Sequence, residues 1–470
     1  MFEIKLNELK RVVDGETPES SLKGDQLLRG ISIDSRKVDP NNIFVAIPGE
    51  KFDGHSFIGD AVSKGAKAVV IDREKKNIVP PEVYGKTAVI LVSDTKRALR
   101  DVALWYRSKF NLPVVAVTGT NGKTTTKDMI AQVLSSEFQV LKSPESYNNL
   151  IGVPLTLFQL NPEYEALVLE LGMSSPGEIS ILTKISQPQI GVITNIGPAH
   201  LESMQSMERI AKAKFELPDN MPYPRTLVLN ADDQILAKRI ARTQPEEKVV
   251  SFGVKKKADF IADRIEANGN GYISFRVNKN TQVKLSLLGW HNVYNALAAF
   301  SVGRLLGVEE PKIKEGLESF SPSRLRMELV SIDNIRIIND SYNANPVSME
   351  KALETLKNMK TFGRKIAVLG DMLELGYREM DFHLELGRKV AQSGVKLLIT
   401  IGQLARFIGE GAREAGLRSS DILNLKNNSE VSLYLLENLK DGDLVLVKGS
   451  RKMRTEEIVF SLKSQYGRQN

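Results

Sequence analysis

Apolar residues in this chain occur in short unbroken runs, and stretches with helical spacing of apolar positions lie between many of them. In the first part of the chain, runs at 43–47, 68–71 and 88–92 have the length of buried strands. Helical patterns separate some of these runs. This alternation predicts a small α/β domain over residues 1–108.

The second block begins at Asn111-Leu112-Pro113 and contains apolar runs rich in β-branched residues. These runs lie at 114–117, 167–171, 190–194, 226–229 and 249–252. Strands buried on both faces are typical of a parallel sheet covered by helices, and helical patterns separate several of these runs. The sequence therefore predicts a central parallel α/β sheet over residues 109–320.

The third block follows Ser321-Pro322-Ser323 and again alternates strand and helix patterns. Predicted strands lie at 335–338, 366–369, 397–401 and 444–447, and predicted helices lie near 347–359, 379–393 and 430–439. This order is typical of a small Rossmann-like sheet, here over residues 321–470. The predicted fold class is α/β with three domains.

The composition is that of an ordinary globular protein, with 42% hydrophobic and 26% charged residues among 470. No apolar run reaches the roughly 18 residues of a membrane span. The first residues lack the apolar core of a signal peptide, so we expect a cytoplasmic protein with no membrane insertion. Cysteine is absent, which excludes disulfides, thiol catalysis and cysteine-bound metal.

The net charge of +7 comes from 64 Lys and Arg residues against 57 Asp and Glu residues, and the signs are mixed along the chain. So small an excess is compatible with anionic small substrates such as nucleotides. We therefore expect small-molecule substrates and no nucleic-acid partner. We also expect a monomeric protein.

The clearest chemical signal is the segment 118–126, TGTNGKTTT, which follows the run at 114–117 and precedes a helical pattern. Glycines let backbone N–H groups approach a phosphate, and the N-terminus of a helix adds partial positive charge. Lys123 can reach the β- and γ-phosphates, and the Thr124 hydroxyl can bind Mg²⁺. The usual phosphate loop has a glycine where this chain has Val117, so an ordinary strand-to-helix turn is the alternative interpretation.

Two later strand ends carry candidate metal ligands, since ligands bind at the carboxyl ends of parallel strands. Glu170 follows one run and could complete a Mg²⁺ shell or simply face solvent. His200 lies in a turn of small residues after the next run, and a packed or surface histidine is the alternative. The chain has only four histidines, and three of them, His55, His200 and His291, lie beside such turns.

A predicted helix at 210–217 carries Lys212, Lys214 and Glu216 at alternate positions. From their spacing alone, the favoured interpretation is a helix face exposed to solvent.

Taken together, these segments resemble the Mur ligases, the ATP-dependent amide-forming enzymes of bacterial cell-wall synthesis. The loop at 119–125 has the form found in this family, which accounts for Val117. Other matching stretches run in order through all three blocks, at 34–36, 49–50, 53–55, 148–154, 170–172, 176–178, 194–202, 230–233, 291–296, 340–346, 369–376 and 448–451. The stretch YNANP at 342–346 most resembles the family member that adds a D-alanyl-D-alanine dipeptide.

The resemblance implies roles for particular residues of these stretches. For ATP it implies Gly119, Thr120, Asn121, Gly122, Lys123, Thr124 and Thr125, with Asn295 at adenine, Arg326 at the phosphates and Asp340 at the ribose. For the UDP-linked substrate it implies Ser35, Asp53, Gly54, His55 and Asn149, and for the dipeptide Asn343, Ala344 and Asn345. For Mg²⁺ it implies Thr124, Glu170, His200 and Lys214, the last carbamylated by CO₂; Lys123, Glu170, His200 and Lys214 form the catalytic set.

The resemblance also implies the reaction, in which ATP activates the terminal carboxylate of a UDP-muramoyl tripeptide as an acyl phosphate and the dipeptide amine displaces phosphate. Arg324 is an alternative to Arg326 as the phosphate contact. A Mur ligase or folylpolyglutamate-synthase-like ligase with another amino substrate is the alternative function, and a nucleotide-gated interaction protein is a third. The third residue of the peptide, diaminopimelate or lysine, stays open.

Overall fold

The structure is a computed structural model that describes residues 2–18, 21, 24–145, 147–199, 201–243 and 246–466. Three sheets with a parallel core follow one another along the chain, each covered by helices. This arrangement confirms the predicted α/β fold class with three domains. Among the helices of the described ranges, none combines the length and the apolar composition that crossing a bilayer requires.

The first sheet is small and parallel, with the strand order β3-β4-β5-β6, and a two-stranded antiparallel pair β1-β2 lies beside it. The strands are β1 (Glu3–Lys5), β2 (Leu27–Arg29), β3 (Ile31–Ser32), β4 (Ile43–Val45), β5 (Ala68–Asp72) and β6 (Ala88–Val92). The helices are α1 (Leu6–Val12), α2 (Ile58–Ser63), α3 (Pro81–Tyr84) and α4 (Thr95–Arg107). The predicted strand at 43–47 therefore ends two residues early, at Val45.

Helix α4 begins after Asp94, whose carboxylate accepts hydrogen bonds from the N–H groups of Lys96 and Arg97. Such a cap satisfies N–H groups that have no partner inside the helix. At its other end, the Tyr106 hydroxyl donates to the Leu160 carbonyl, 2.7 Å away, and Arg107 Nε donates to Ser186 O. Helix α4 therefore fastens the first sheet to the second, and the two share one apolar core.

The central sheet has nine strands in the order β15-β14-β13-β12-β11-β10-β7-β9-β8. The strands are β7 (Val114–Thr118), β8 (Val140–Lys142), β9 (Ala166–Glu170), β10 (Ile190–Ile193), β11 (Arg225–Asn230), β12 (Glu247–Gly253), β13 (Phe260–Ala267), β14 (Tyr272–Val277) and β15 (Thr281–Leu288). The helices are α5 (Lys123–Leu134), α6 (Gly152–Leu157), α7 (Glu178–Ser186), α8 (Leu201–Met204), α9 (Met207–Asn220), α10 (Gln234–Ile240), α11 (His291–Leu305) and α12 (Glu310–Glu318).

The strands from β8 to β13 pair in parallel, as predicted, but β14 and β15 are antiparallel. An entirely parallel sheet is therefore wrong for this end of the domain. The physical reason is visible in β15, where Val283, Leu285 and Leu287 are buried and the polar residues between them are not. An antiparallel extension can leave one face in solvent, whereas a parallel sheet is covered on both faces.

The third sheet has six strands in the order β16-β17-β21-β18-β19-β20, all parallel except the edge strand β16. The strands are β16 (Glu328–Ile332), β17 (Ile335–Asn339), β18 (Lys365–Gly370), β19 (Leu397–Ile401), β20 (Ile422–Leu425) and β21 (Leu444–Lys448). The helices are α13 (Pro346–Asn358), α14 (Glu379–Ala391), α15 (Arg406–Glu414), α16 (Asn428–Asn438) and α17 (Glu456–Tyr466). The strands and helices predicted for this block are confirmed.

Candidate functional site

The turn between β7 and α5 is shaped by two glycines with positive φ, +140° at Gly119 and +81° at Gly122. A Cβ at Gly119 would lie 2.0 Å from Thr194 Oγ1, and a Cβ at Gly122 would lie 2.4 Å from Asn295 Oδ1. Only glycine fits these positions, because both the backbone angle and the space exclude a side chain. The turn leads directly into the N-terminus of α5, where a phosphate is favoured.

Lys123 is the first residue of α5, and its ammonium donates to Gly119 O and Thr120 O, each at 3.0 Å. Burial lowers the pKa of Lys123; nearby Glu170 opposes this shift and Arg326 adds to it. The side chain thus folds over the loop in which the predicted phosphates would lie. The strand-to-helix turn therefore has the geometry of an anion-binding site, and the Lys123 side chain lies against it.

Glu170 ends β9 and is only 5% exposed, so the solvent-facing interpretation is wrong. Its Oε2 accepts a hydrogen bond from Thr124 Oγ1 at 2.7 Å, and its Oε1 accepts one from Asn148 Nδ2 at 2.8 Å. A hydroxyl oxygen and a carboxylate oxygen therefore meet beside the phosphate loop. Hard oxygen donors of this kind suit Mg²⁺, so these residues fit the predicted ion.

Lys214 on α9 is 3% exposed, so the interpretation of this helix face as solvated is wrong at this position. Burial lowers the pKa of Lys214 well below its ordinary value, and the nearby charge of Lys123 lowers it further; the carboxylates of Glu170 and Glu216 oppose the shift. Lys212 is exposed, and Glu216 accepts hydrogen bonds from the backbone at the start of α7. Lys214 is therefore a buried amine near the phosphate loop, in surroundings that favour its neutral form.

The turn after β10 packs against the phosphate loop. The backbone N–H of Asn121 donates to Asn195 Oδ1 at 3.0 Å, and the Thr120 hydroxyl donates to Gly197 O at 3.1 Å. His200, a predicted metal ligand in this turn, lies outside the described residues. Within the part of the chain that the structure describes, no group of three or more His, Cys, Asp and Glu side chains could hold a metal ion.

Asn295, predicted at adenine, lies beneath the phosphate loop on α11 and is 5% exposed. Its amide oxygen accepts a hydrogen bond from Thr126 Oγ1 at 3.1 Å, and its amide nitrogen donates to Asn292 Oδ1 at 2.8 Å. The structure therefore brings Asn295 to the loop and engages it with protein partners. Its contact with adenine stays a prediction.

Arg326, the predicted phosphate contact, lies with its guanidinium carbon 3.7 Å from the centre of the Tyr342 ring. Its Nε is buried without a hydrogen-bond partner among the described residues, whereas Arg324 is exposed. Leu325 and Met327, on either side of it, have positive φ of +65° and +51°. A buried donor without a partner is costly, so this geometry favours Arg326 over Arg324 as an anion contact.

Asp340 and the segment that follows it are the part of the site that the third domain contributes. The carboxylate of Asp340 accepts from Lys448 Nζ at 2.6 Å and from the N–H of Met327 at 3.1 Å. Lys448 Nζ also donates to Asn343 O at 2.8 Å, and Asn345 Nδ2 donates to Asn121 Oδ1 at 2.8 Å. The structure thus brings Asn345 to the phosphate loop and links Asp340 to Asn343 through Lys448.

The residues predicted to bind the UDP-linked substrate mainly form hydrogen bonds with neighbouring protein groups in the first domain. His55 is 2% exposed; its Nδ1 lies 2.6 Å from Asp53 Oδ1, and its Nε2 accepts from the N–H of Asp72 at 2.9 Å. Both ring nitrogens are therefore engaged by the protein. Burial would raise the pKa of Asp53, but hydrogen bonds from Lys75 and His55 outweigh it and hold that pKa low. A Cβ at Gly54 would lie 2.7 Å from the backbone N of Ile47.

Two further residues of this set, Ser35 and Asn149, lie at or just before the starts of short helical segments. Asp34 accepts from the N–H of Arg36 at 3.0 Å and caps a 3₁₀ turn whose first residue, Ser35, is buried. Hydrogen bonds from Arg36 lower the pKa of Asp34 to about 2, against the opposing effect of burial. Asn149 is exposed, and its amide oxygen accepts from the N–H of Gly152 at 2.9 Å at the start of α6.

A cavity of about 900 Å³, which no sequence pattern indicated, is lined by residues of the first and second domains. Its lining includes Ser32, Asp34, Lys37, Tyr147, Phe158 and Gln159. Lys37 directly follows the stretch 34–36, which carries the family resemblance. Its position next to this stretch was the signal that could have marked Lys37 as a candidate for substrate binding. Asn148, Tyr342 and Lys448 were also left without a role, although all three lie inside stretches that carry the resemblance.

Comparison with known proteins gives matches along nearly the whole chain. Residues 27–107 match a Mur ligase family catalytic domain, residues 117–303 a Mur ligase middle domain, and residues 325–451 a Mur ligase glutamate ligase domain. The UDP-N-acetylmuramoyl-tripeptide–D-alanyl-D-alanine ligase of Bacillus subtilis is 36% identical over 438 residues, which are 93% of each chain. The enzyme of that name from Escherichia coli is 33% identical, covering 98% of this chain and 99% of its own.

Solved structures of MurF enzymes also superpose on this chain. A crystal structure of MurF from Acinetobacter baumannii superposes with a TM-score of 0.89 at 28% identity and covers 99% of both chains. The MurF ligase from Thermotoga maritima in complex with ADP superposes with a TM-score of 0.83 at 29% identity, covering 94% of this chain and 99% of that one.

Proposed function

Because the chain belongs to the Mur ligase family, we propose that it is the ATP-dependent ligase that joins D-alanyl-D-alanine to UDP-N-acetylmuramoyl tripeptide in peptidoglycan synthesis. One observation carries this function. The phosphate loop, with Lys123 folded over it and Thr124 paired to Glu170, directly faces the segment 343–345 of the third domain. A nucleotide site and an acceptor site therefore share one cleft.

The chemistry follows from the reactants. A carboxylate does not acylate an amine, because its oxygen is a poor leaving group. The terminal carboxylate of the tripeptide attacks the γ-phosphorus of ATP; ADP leaves and an acyl phosphate forms. The dipeptide amine then attacks the acyl carbon, loses a proton, and expels inorganic phosphate from a tetrahedral intermediate. Lys123, Arg326 and the N-terminus of α5 offset the negative charge that gathers in the first step.

Mg²⁺ belongs to this proposal, with Thr124 and Glu170 as ligands and His200 and carbamylated Lys214 beside them. When bound, the ion would reduce the repulsion between the carboxylate and the phosphate oxygens. Support for the carbamate comes from the burial and the lowered pKa of Lys214, because CO₂ reacts with an uncharged amine. The carbamate turns a potential cation into an anionic oxygen ligand.

We assign the UDP-linked substrate to residues 1–108, the ATP phosphates to 109–320, and the dipeptide with completion of the ATP site to 321–470. The cavity lined by residues of the first and second domains offers about 900 Å³ for part of the UDP-linked substrate. Its lining combines Tyr147 and Phe158 for stacking with the cation of Lys37 for an anionic group. In this proposal the enzyme is a cytoplasmic monomer.

A substrate panel tests the function. The purified protein is given ATP, Mg²⁺ and the UDP-tripeptide, with D-alanyl-D-alanine, other dipeptides or single amino acids as acceptors, and phosphate release is followed. Release that depends on D-alanyl-D-alanine supports the proposal. Release with a single amino acid alone favours another ligase of the family, and ATP binding without any turnover favours a nucleotide-gated interaction protein.

A further inference from the structure

The phosphate loop touches the third domain through a pair of asparagine side chains. Asn345 Nδ2 donates to Asn121 Oδ1 at 2.8 Å, and Asn121 Nδ2 donates to Asn345 Oδ1 at 3.4 Å. The two residues are 224 positions apart. The first lies between the glycines that shape the nucleotide site, and the second lies in the segment assigned to the dipeptide.

The Asn121 side of this pair is held rigidly. The backbone N–H of Asn121 donates to Asn195 Oδ1 at 3.0 Å, and its backbone oxygen accepts from Asn195 Nδ2 at 3.0 Å and from Thr194 Oγ1 at 2.6 Å. Three hydrogen bonds therefore fix the main chain, and the side chain extends from it toward the third domain. A displacement of the loop by a phosphate would move this side chain with it.

The Asn345 side is equally well defined, because Asn345 caps α13. Its Oδ1 accepts from the N–H of Ser348 at 2.9 Å, and Ser348 Oγ accepts from the N–H of Asn345 at 3.0 Å. This reciprocal capping box fixes the amide plane. One amide group thus has two functions, since its oxygen begins the helix and its nitrogen reaches the phosphate loop.

Other hydrogen bonds between the second and third domains involve residues outside the asparagine pair. The N–H of Glu202 donates to Glu374 O at 3.1 Å, and Ser323 Oγ donates to Asp128 Oδ2 at 3.0 Å. Neither involves the phosphate loop or the segment 343–345. The asparagine pair is therefore a direct connection between the residues that hold the two substrates.

We propose that the Asn121–Asn345 pair couples nucleotide occupancy to the acceptor site, which makes Asn121 a positioning residue for the dipeptide. This inference rests on the proposed function. A phosphate that shifts the loop moves Asn121 with it, and Asn121 in turn repositions Asn345 and the segment that receives the amine. The acceptor is then bound best where a phosphoryl donor is already present, so that the acyl phosphate meets an amine and not water.

Two variants separate this role from helix capping. Asn345→Ser keeps a strong capping oxygen but is too short to reach Asn121, and Asn121→Ala removes the other half of the pair. Ser348→Ala is the matched control, because it breaks the capping box and leaves both amides in place. Thermal melting of all three checks that each variant folds and that Asn345→Ser preserves the cap.

The measurement is the KM for D-alanyl-D-alanine at saturating ATP and UDP-tripeptide. We expect each asparagine variant to raise this KM about two- to tenfold, the range for one lost neutral hydrogen bond. The double variant should raise it no further, since either change alone breaks the pair. Ser348→Ala should leave it unchanged.

Other outcomes overturn the inference. If Asn121→Ala changes only the KM for ATP, Asn121 acts on the nucleotide alone. If the effects of the two single variants on the KM for D-alanyl-D-alanine multiply in the double variant, the two residues act independently. If either of these results is obtained while the unmodified enzyme shows the expected turnover, the proposed function stands and the proposed coupling between nucleotide and acceptor sites is refuted. If the unmodified enzyme shows no turnover with any acceptor, the function itself fails and the inference falls with it.

Discussion

Thr124 Oγ1 lies 2.7 Å from Glu170 Oε2, and this hydrogen bond joins the first turn of α5 to the end of β9. Two strands of the central sheet thereby place a hydroxyl and a carboxylate at the same edge. The carboxylate is also fixed by Asn148, so neither oxygen is free to rotate away. The loop that would hold phosphate and the group that would hold Mg²⁺ are therefore built as one unit.

Replacing the charge of Glu170 tests this unit. Glu170→Gln still accepts from Thr124 but no longer carries a negative charge, so we expect phosphate release to fall at least about 100-fold. The melting temperature should change little, because the hydrogen bond from Thr124 survives. Glu315→Gln, an exposed position on α12, is the control and should match the parent. Turnover of Glu170→Gln within about threefold of the parent would refute the assignment.

The glycine at the start of α5 gives a second prediction. Gly122→Ala forces a side chain into positive φ and against Asn295, so we expect a loss of about 1–3 kcal/mol in the free energy of unfolding. ADP binding, measured by calorimetry, should weaken with it. Gly85→Ala is the matched control, since Gly85 has φ of −81° and open space around it. Equal stability of the two variants would contradict this account.

The carbamate proposal for Lys214 predicts rescue. Lys214→Ala should lose at least about 100-fold in phosphate release, and short carboxylic acids should restore part of it by supplying the missing oxygens. CO₂-depleted buffer should slow the parent enzyme, and bicarbonate should reverse this. The neighbouring exposed Lys212→Ala is the control and should keep parental activity. Indifference to CO₂, together with an active Lys214→Ala, would show that the amine has no role.

The stacking of Arg326 on Tyr342 predicts a graded effect. Tyr342→Phe keeps the aromatic face and should retain most of the kcat, whereas Tyr342→Leu should lower kcat about three- to thirtyfold by releasing the guanidinium. Arg326→Ala should cost more than Tyr342→Leu, and the exposed Arg324→Ala should cost little. Steady-state kinetics measure all four, and equal losses in Tyr342→Phe and Tyr342→Leu would exclude the stacking role.

His291 gives the pH prediction. Burial lowers the pKa of His291 to about 4, with Asp340 opposing the shift and Lys351 and Lys448 adding to it, and its Nδ1 has no hydrogen-bond partner among the described residues. The unfolded imidazole takes up a proton below its ordinary pKa of about 6.5, so acidification favours the unfolded chain. The stabilising contribution of the neutral ring is present above about 6.5 and is lost as the pH falls toward 4.

Urea unfolding at a series of pH values between 7 and 4 measures this contribution. His291→Phe, which does not titrate, should lose less stability than the parent over this interval. Parallel stability curves for the two proteins would show that His291 titrates normally.

The sequence alone predicts the central parallel strands of each sheet, because strands buried on both faces appear as uninterrupted apolar runs. The parallel strands β3, β8, β13 and β20 are absent from that prediction, because each is short or partly exposed. The runs at 88–92 and 397–401 coincide with β6 and β19. Strands β14 and β15 are missing from that prediction because their buried residues alternate with more exposed ones. The alternation of β15 is present in the sequence and would have revealed it.

The site was less predictable, since spacing does not determine which face of a helix meets the core. Lys212 and Lys214 lie on one helix, yet the first is exposed and the second is buried, because two residues turn a helix by about 200°. The contact between Asn121 and Asn345 joins segments whose local patterns carry no trace of each other. Such a contact follows only from the packing of two domains.

In the proposed reaction, an acyl phosphate forms between ATP and the tripeptide. Isotope transfer tests this step with UDP-tripeptide that carries ¹⁸O in the terminal carboxylate, incubated with the enzyme, ATP, Mg²⁺ and D-alanyl-D-alanine. We expect one ¹⁸O atom in each inorganic phosphate released and one in the new amide. Unlabelled phosphate beside a completed amide bond would contradict this step.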